Sequence, residues 1–292
     1  MIIRAYLFLT VTTLCWGANA VAGKLAVGHI SPMLLTSLRW AMAVSILAAF
    51  TGPQVKRDWP VIRRHLPLLA GYGMVGFAGF NILLYSALGH TTAINVAIEQ
   101  AGVPMVIFLA NFLLFRIRAS LAQVAGFAFT LAGVALTASG GSLARLIALE
   151  LNRGDALMLV AVLCYAGYTV SLRYKPDLHW QSMITVMAAS AFLTSLPFTA
   201  WEITSGSAIR PDATGWTVAA FTAVFPSLVS QVMFIKGNEL IGSNRAGLFI
   251  NLVPIFGTLM SVLILGETLH LYHVIALALV LGGIGLAERG KR

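Results

Sequence analysis

Apolar residues in this chain fall in long runs instead of alternating with polar ones. Ten runs stand out: Ala5–Ala26, Pro32–Thr51, Leu66–Leu88, Ala93–Phe115, Leu121–Ser139, Ala156–Tyr174, Trp180–Trp201, Thr214–Ile235, Ser243–Leu265 and Leu271–Ala287. Most reach the roughly 20 residues that a helix needs to cross ~30 Å of hydrocarbon, and the last is at the short limit. The connections are short, so no sizeable soluble domain fits between them. The pattern predicts an all-α integral membrane protein of ten transmembrane helices, with the lipid bilayer as its solvent.

The ten runs are two sets of five. Shifting the sequence by 150 residues lays Gly17 on Gly167, His29 on His179, Asn81 on Gln231 and Pro104 on Pro254. The repeats span residues 1–139 and 154–292, joined by an outer segment at 140–153. An odd number of crossings per copy turns the second copy over relative to the first. Two inverted five-helix repeats around a central cavity are a common transporter architecture. Within the connecting segment Leu143, Leu146, Ile147 and Leu151 share one helical face, which predicts a short helix lying on the outer membrane surface.

Composition agrees: 59% of residues are apolar and 10% charged, where soluble proteins carry about a quarter charged. The net charge of +9 would suit nucleic acid, but its distribution reports orientation instead. With the N-terminus inside, the inner side collects Arg4, Lys56, Arg57, Arg63, Arg64, Arg116, Arg118, Arg173, Lys175, Lys236, Arg245, Arg289, Lys291 and Arg292. The outer side has Lys24, Arg145, Arg153 and Arg210, so the split is fourteen to four. That is the positive-inside rule, and it predicts cytoplasmic termini and no nucleic-acid partner. The basic stretch Gly52–His65 reads as the longest inside loop, suited to anionic headgroups. Arg4, the first apolar run and Ala18-Asn19-Ala20 resemble a cleavable secretory signal. The run continues past that site and has a counterpart in the second half, so a retained helix is expected. Cys15 and Cys164 lie deep in spans and suggest packing.

Pro104 and Pro254 fall near the middle of the fourth helix of each half and read as a hinge or cavity wall, because each frees a backbone carbonyl. Gly71, Gly73, Gly76, Gly79, Gly282, Gly283 and Gly285 read as close-packing faces. Gly71-Tyr72-Gly73-Met74-Val75-Gly76 matches a dinucleotide fingerprint, yet it lies in an apolar helix without the βαβ unit that motif needs. No HExxH, GxSxG, phosphate-loop or paired-cysteine pattern occurs, so no catalytic residue, metal or cofactor is expected.

Ionisable residues inside a span cost ~2.5–3.5 kcal/mol at mid-helix, so each needs a partner or a wet cavity. Arg39 and Glu99 stand out, ~10 Å and ~9 Å from the outer ends of their helices. They could form a permanent salt bridge, or meet the carboxylate and ammonium of a zwitterionic solute. Around them Trp16, Asn19, Trp40, Asn81, Tyr85, Gln100, Tyr165, Tyr168, Gln231 and Asn251 form a polar and aromatic set for a cavity. The competing reading of each amide is interhelical glue, and that of Trp180 and Trp201 an interfacial belt.

Trp16-Gly17-Ala18-Asn19 with Lys24, Arg39, Tyr85-Ser86-Ala87-Leu88 and Pro104 resemble the first half of a drug/metabolite transporter of the EamA type. Gly154-Asp155, Cys164-Tyr165-Ala166, Arg173, Pro254 and Leu265-Gly266-Glu267 resemble the second. The resemblance implies ten helices in two inverted bundles, a central cavity, and alternating access that moves small metabolites out across a bacterial inner membrane. Two departures concern the gates: Arg116-Ile117-Arg118 replaces a Gly-Glu, and Ala166-Gly167 replaces a Trp-Gly. The expected function is export of amino acids or similar amphoteric metabolites by a monomer. The alternative is efflux of lipophilic cations, using Glu99 and the aromatics. Phosphorylated sugars would want several buried cations, and only Arg39 is available. A membrane enzyme would need more than His270, His273 and Glu267 at one interface.

Overall fold

The computed structural model describes residues 2–116, 120–142, 144, 152–242, 246 and 249–289. Ten helical rods follow the predicted runs: α1 Ile2–Leu25, α2 Pro32–Arg64, α3 Leu66–Leu88, α4 Ala93–Phe115, α5 Leu121–Ala138, α6 Arg153–Tyr174, α7 Trp180–Thr204, α8 Ala213–Ile241, α9 Leu252–Leu265 and α10 Leu271–Arg289. Among the described residues nine are long and apolar enough to cross a membrane, and α9 is the shorter tenth. The predicted surface helix at 143–151 and the start of the ninth run lie largely outside the described residues. One expectation is corrected. The stretch read as the longest inside loop is the end of α2, which stays helical through Pro53 and Pro60 to Arg64. Its basic residues therefore ride on a helix.

The inversion is visible in which ends meet. α2 and α7 are repeat mates, and Ser31 at the start of α2 bonds Glu202 near the end of α7 at 2.6 Å. Further along, Thr51 meets Thr185 at 2.9 Å. The mates run antiparallel. α5 and α10 do the same: Gly126 faces Gly283, and Gly133 faces Ala276. The other large contacts also cross between halves and come in exchanged pairs, α1 with α8 and α3 with α6, α1 with α9 and α4 with α6. Neither half buries its faces alone. They interlock.

Polar ends are satisfied locally. Ser120 and Gln123 form a capping box on α5, and Thr92, Asn152 and Asp212 cap α4, α6 and α8. Two buried or half-buried glutamates cap helices of the opposite half: Glu267 accepts the Ala93 and Ile94 amides at 2.8 and 3.0 Å, and Glu202 accepts those of Met33 and Leu34 at 3.3 and 3.0 Å. Because Glu202 holds three donors at the α2–α7 crossing, Glu202→Ala is expected to cost about 1–3 kcal/mol. A thermal melt of the detergent-solubilised protein checks this, and Glu202→Gln should recover part of the loss.

Irregular backbone sits at matching places in both halves. A π-helical stretch, Gly73–Gly79, interrupts α3, and another, Phe225–Val229, interrupts α8. A turn also lies at the fourth helix of each half. α4 divides into Ala93–Gln100 and Val103–Phe115 across a turn at Ala101-Gly102. The chain turns again at Ile250-Asn251 before α9. Pro104 and Pro254 therefore lie in the first turn of a new half-helix, where a missing N–H leaves nothing unsatisfied. The expected mid-helix kink is instead a full discontinuity, tolerated because protein surrounds it. Of the glycines read as packing faces, Gly73, Gly76 and Gly283 are crowded. Gly71, Gly282 and Gly285 face open space, and Gly79 is approached only by its own Met74 carbonyl.

Candidate transport site

The two π stretches converge on one side chain. Arg39, on α2, is buried in the junction of the halves. Its Nε donates to Ser227 Oγ at 2.7 Å, inside the α8 π stretch. Its Nη1 donates to Asn81 Oδ1 at 2.7 Å, just past the α3 π stretch, to Asn19 Oδ1 on α1 at 2.9 Å, and to the Tyr85 hydroxyl. With two hydrogens for three acceptors, that nitrogen must share one bond. The acceptors are fixed in turn. Tyr85 donates to Asn19 Oδ1 at 2.9 Å, Asn81 to the Phe77 carbonyl at 2.6 Å, and Ser227 to the Thr222 carbonyl at 2.9 Å. The five-residue reach of that last bond is what a π turn supplies.

Aromatic rings close the rest of the shell. The guanidinium lies 5.1 Å from the Trp40 ring and 5.9 Å from that of Tyr85, within cation–π range. Trp40 stacks on Phe77 at 4.8 Å and 9°. From Phe77 a line of rings continues through Tyr168 at 6.0 Å to Tyr165 at 5.5 Å, and Tyr165 touches Phe80 at 5.0 Å. Gly76 makes room for this line, since a Cβ there would sit 2.4 Å from the Tyr168 ring.

Every acceptor around Arg39 is neutral. No carboxylate pairs with it among the described residues, where the one side-chain contact at ion-pair distance is His29 with Asp212 at 2.6 Å on the surface. The salt bridge considered between Arg39 and Glu99 does not form. Glu99 is fully enclosed, with no hydrogen-bond partner for either oxygen among the described residues. It stands one residue before the end of the first α4 half-helix and lines neither of the two open spaces off this junction. Asn19, Arg39, Trp40, Asn81 and Tyr85 thus come together, and Tyr165 and Tyr168 join through the aromatic line. Trp16 packs on Phe234 at 5.3 Å. Gln100, Gln231 and Asn251 stay partly accessible and make no bond to Arg39. Sequence reasoning missed Ser227. A signal was present, because the repeat offset lays Pro226 on Gly76, and each disturbs the third helix of its half.

Open space lies off this junction. A polar pocket of about 470 Å³ is lined by Lys24, His90, Thr91, Asn95, Asn152 and Asp155, among others. Lys24 donates there to the Leu88 and Thr91 carbonyls at 2.8 and 2.6 Å, closing the end of α3. A mostly apolar groove of about 320 Å³ runs past Pro104, Phe108, Asn111, Gln123 and Glu288 between α4, α5 and α10.

Repeat mates threaded in opposite directions, a broken fourth helix and a desolvated polar hub between the halves define a multi-pass membrane transporter. The chain matches the EamA-like transporter family twice, over residues 3–139 and 152–288, and belongs to that family. It is 25% identical over 97% of its length, and 92% of the relative's, to the uncharacterized transporter YyaM of Bacillus subtilis (strain 168). It is also 25% identical over 95% of its length, and 92% of the relative's, to a probable amino-acid metabolite efflux pump of Salmonella typhimurium. A protein crystal structure shares the fold, with a TM-score of 0.65 at 20% identity over the whole of both chains.

Proposed function

We propose that this transporter exports amino acids or similar small amphoteric metabolites by alternating access across a bacterial inner membrane, with both termini in the cytoplasm. One observation carries the reading: a buried arginine whose every protein partner is neutral. Removing a guanidinium from water without a counter-charge is costly, and the neutral acceptors around it compensate only in part. A solute carboxylate would complete the site, accepting charge-assisted hydrogen bonds from the two Nη2 hydrogens that the protein leaves unused. Nη2 has no hydrogen-bond partner among the described residues. The rings of Trp40, Tyr85, Tyr165 and Tyr168 suit a flat or apolar side chain on the same solute. The ammonium has candidate acceptors in the amides Gln100, Gln231 and Asn251 and in the carbonyl end of the first α4 half-helix, where the dipole is negative. Glu99 takes no part in this binding. The similarity to a probable amino-acid metabolite efflux pump supports the same solute class.

A second reading has its own support. The lateral apolar groove with Glu288 at its edge suits a lipophilic cation arriving from the bilayer. A panel of solutes in proteoliposomes separates the two: neutral, aromatic and basic amino acids, a viologen and a sugar phosphate. The amphoteric reading expects amino acids to move and the sugar phosphate to be left behind. It is overturned if only the viologen moves and an Arg39→Gln protein still carries it.

A further inference from the structure

The polar pocket of about 470 Å³ is separate from the Arg39 hub and shares no residue with it. It opens at the end of the bundle that the basic residues turn outward. Its floor is an ordered network. Thr91 Oγ1 donates to Asp155 Oδ1, and Asn95 Nδ2 donates to Thr91 Oγ1 at 3.1 Å and to the same Asp155 oxygen at 3.4 Å. Asn95 Oδ1 accepts from His273 Nε2 at 3.1 Å, and His273 Nδ1 accepts the His270 amide at 3.1 Å. Those two bonds commit His273 to one neutral tautomer. Asp155 Oδ2 keeps no hydrogen bond among the described residues.

Glu99 stands four residues beyond Asn95 on the same half-helix, and so one turn deeper on the same face. It is fully enclosed, both oxygens lack a protein partner among the described residues, and Asp155 lies within electrostatic range. Such a group does little for the fold. A buried carboxyl that donates to nothing and accepts from nothing is a cost, one that a well-packed glutamine or leucine would avoid. The outer parts of the elements packed against this half-helix bring few other titratable groups. They are Cys15 and Lys24 on α1, Tyr85 on α3, Arg153, Asp155, Cys164 and Tyr165 on α6, and Tyr272 and His273 on α10, with Glu267 capping the half-helix itself. Neither α5 nor the described part of α9 brings a titratable group to this level. Among the described residues no cation is bonded to Glu99.

We infer that Glu99 is the coupling-proton site of this transporter, loaded from the outer pocket by way of the Asp155 carboxyl. The inference rests on the transport reading above. In each cycle one proton from outside adds to the Glu99 carboxylate to give the neutral acid. The same proton leaves to the inside when the halves rearrange, as solute moves the other way. The discontinuity at Ala101-Gly102, directly after this turn of helix, is where the α4 halves could shift against each other.

The test has two arms. Infrared difference spectra of the purified full chain between acid and alkaline pH read carboxyl protonation without any solute. A protonated-carboxyl band that is lost at high pH in wild type and missing from Glu99→Gln is expected. A wild type without that band, or a variant that keeps it, overturns the inference. In proteoliposomes a proton gradient directed against the solute should speed wild-type transport at least about fivefold, within the usual span of coupling. It should leave Glu99→Gln unresponsive, with solute-for-solute exchange near the wild-type rate. A variant that exchanges and still answers the gradient overturns the proposal, and so does a folded variant that has lost exchange. If wild type moves no member of the panel, the function reading falls, while the infrared arm still decides the proton site.

Discussion

Arg39→Gln is expected to lower transport of carboxylate-bearing solutes by about a hundredfold or more while the protein still folds and inserts. The estimate follows from losing two charge-assisted bonds to the solute, each worth roughly 1.5–3 kcal/mol, with about 1.4 kcal/mol per factor of ten. Folding should survive because Asn19, Asn81, Tyr85 and Ser227 are neutral and already tied to one another or to backbone carbonyls. A glutamine amide can take over one of the freed acceptors. Arg39→Lys is the sharper probe. It keeps the charge but loses the planar fork that reaches Ser227 with Nε and the two asparagines with Nη1. Transport should fall at least about tenfold, mostly as a weaker apparent affinity. Initial rates over a range of solute concentration would read both. A lysine variant with unchanged rates would show that only charge matters there, and the directed hydrogen bonds of the guanidinium would have to go from the account.

Much of the fold is legible in the sequence because a bilayer allows so few answers. Backbone that crosses hydrocarbon must be helical or a closed barrel, so ten apolar runs translate almost directly into ten rods. The offset of 150 residues between Pro104 and Pro254 forecasts irregular backbone at corresponding places in both halves, and a turn does precede each proline, at Ala101-Gly102 and at Ile250-Asn251. What hydropathy does not carry is rotation about each helix axis. Arg39 and Glu99 lie at similar depth with opposite charge, which makes them look like partners. They face different neighbours: Arg39 faces the α1, α3 and α8 hub, and Glu99 the region under Asp155. Depth is a one-dimensional quantity, and pairing needs the other two. The same blindness hides Ser227, a small hydroxyl in an apolar run that matters only because a π turn points it at the guanidinium. The α2 extension was hidden for a different reason. Pro53 and Pro60 are ordinary loop signals, and a helix long enough to leave the bilayer overrides them.

The α5–α10 seam carries the largest expected stability effect, because there the two repeats touch backbone to backbone. A Cβ at Gly126 would lie 2.4 Å from the Gly283 carbonyl oxygen and 2.9 Å from the Ala287 Cβ. A Cβ at Gly283 would lie 2.5 Å from the Gly126 carbonyl oxygen and from Thr130 Oγ1. Seven residues on, Gly133 is held just as closely, its Cβ position 2.7 Å from the Ala276 carbonyl oxygen. In a membrane, where lipid tails solvate leucine as well as protein does, association depends on such close fit and not on hydrophobicity. Gly126→Leu should therefore push the two helices apart along the seam and cost about 3 kcal/mol or more, the upper range for overpacking. Read as a melting temperature in detergent, that is a fall of roughly 6–12 °C for a chain of this size. Gly282→Leu supplies the contrast, one residue from Gly283 but with no atom within 4 Å of its Cβ position. That substitution should leave the melting temperature unchanged. If both leucines prove equally harmless, α5 and α10 are not in backbone contact, and the antiparallel mating that encloses the transport path would lose one of its two direct supports.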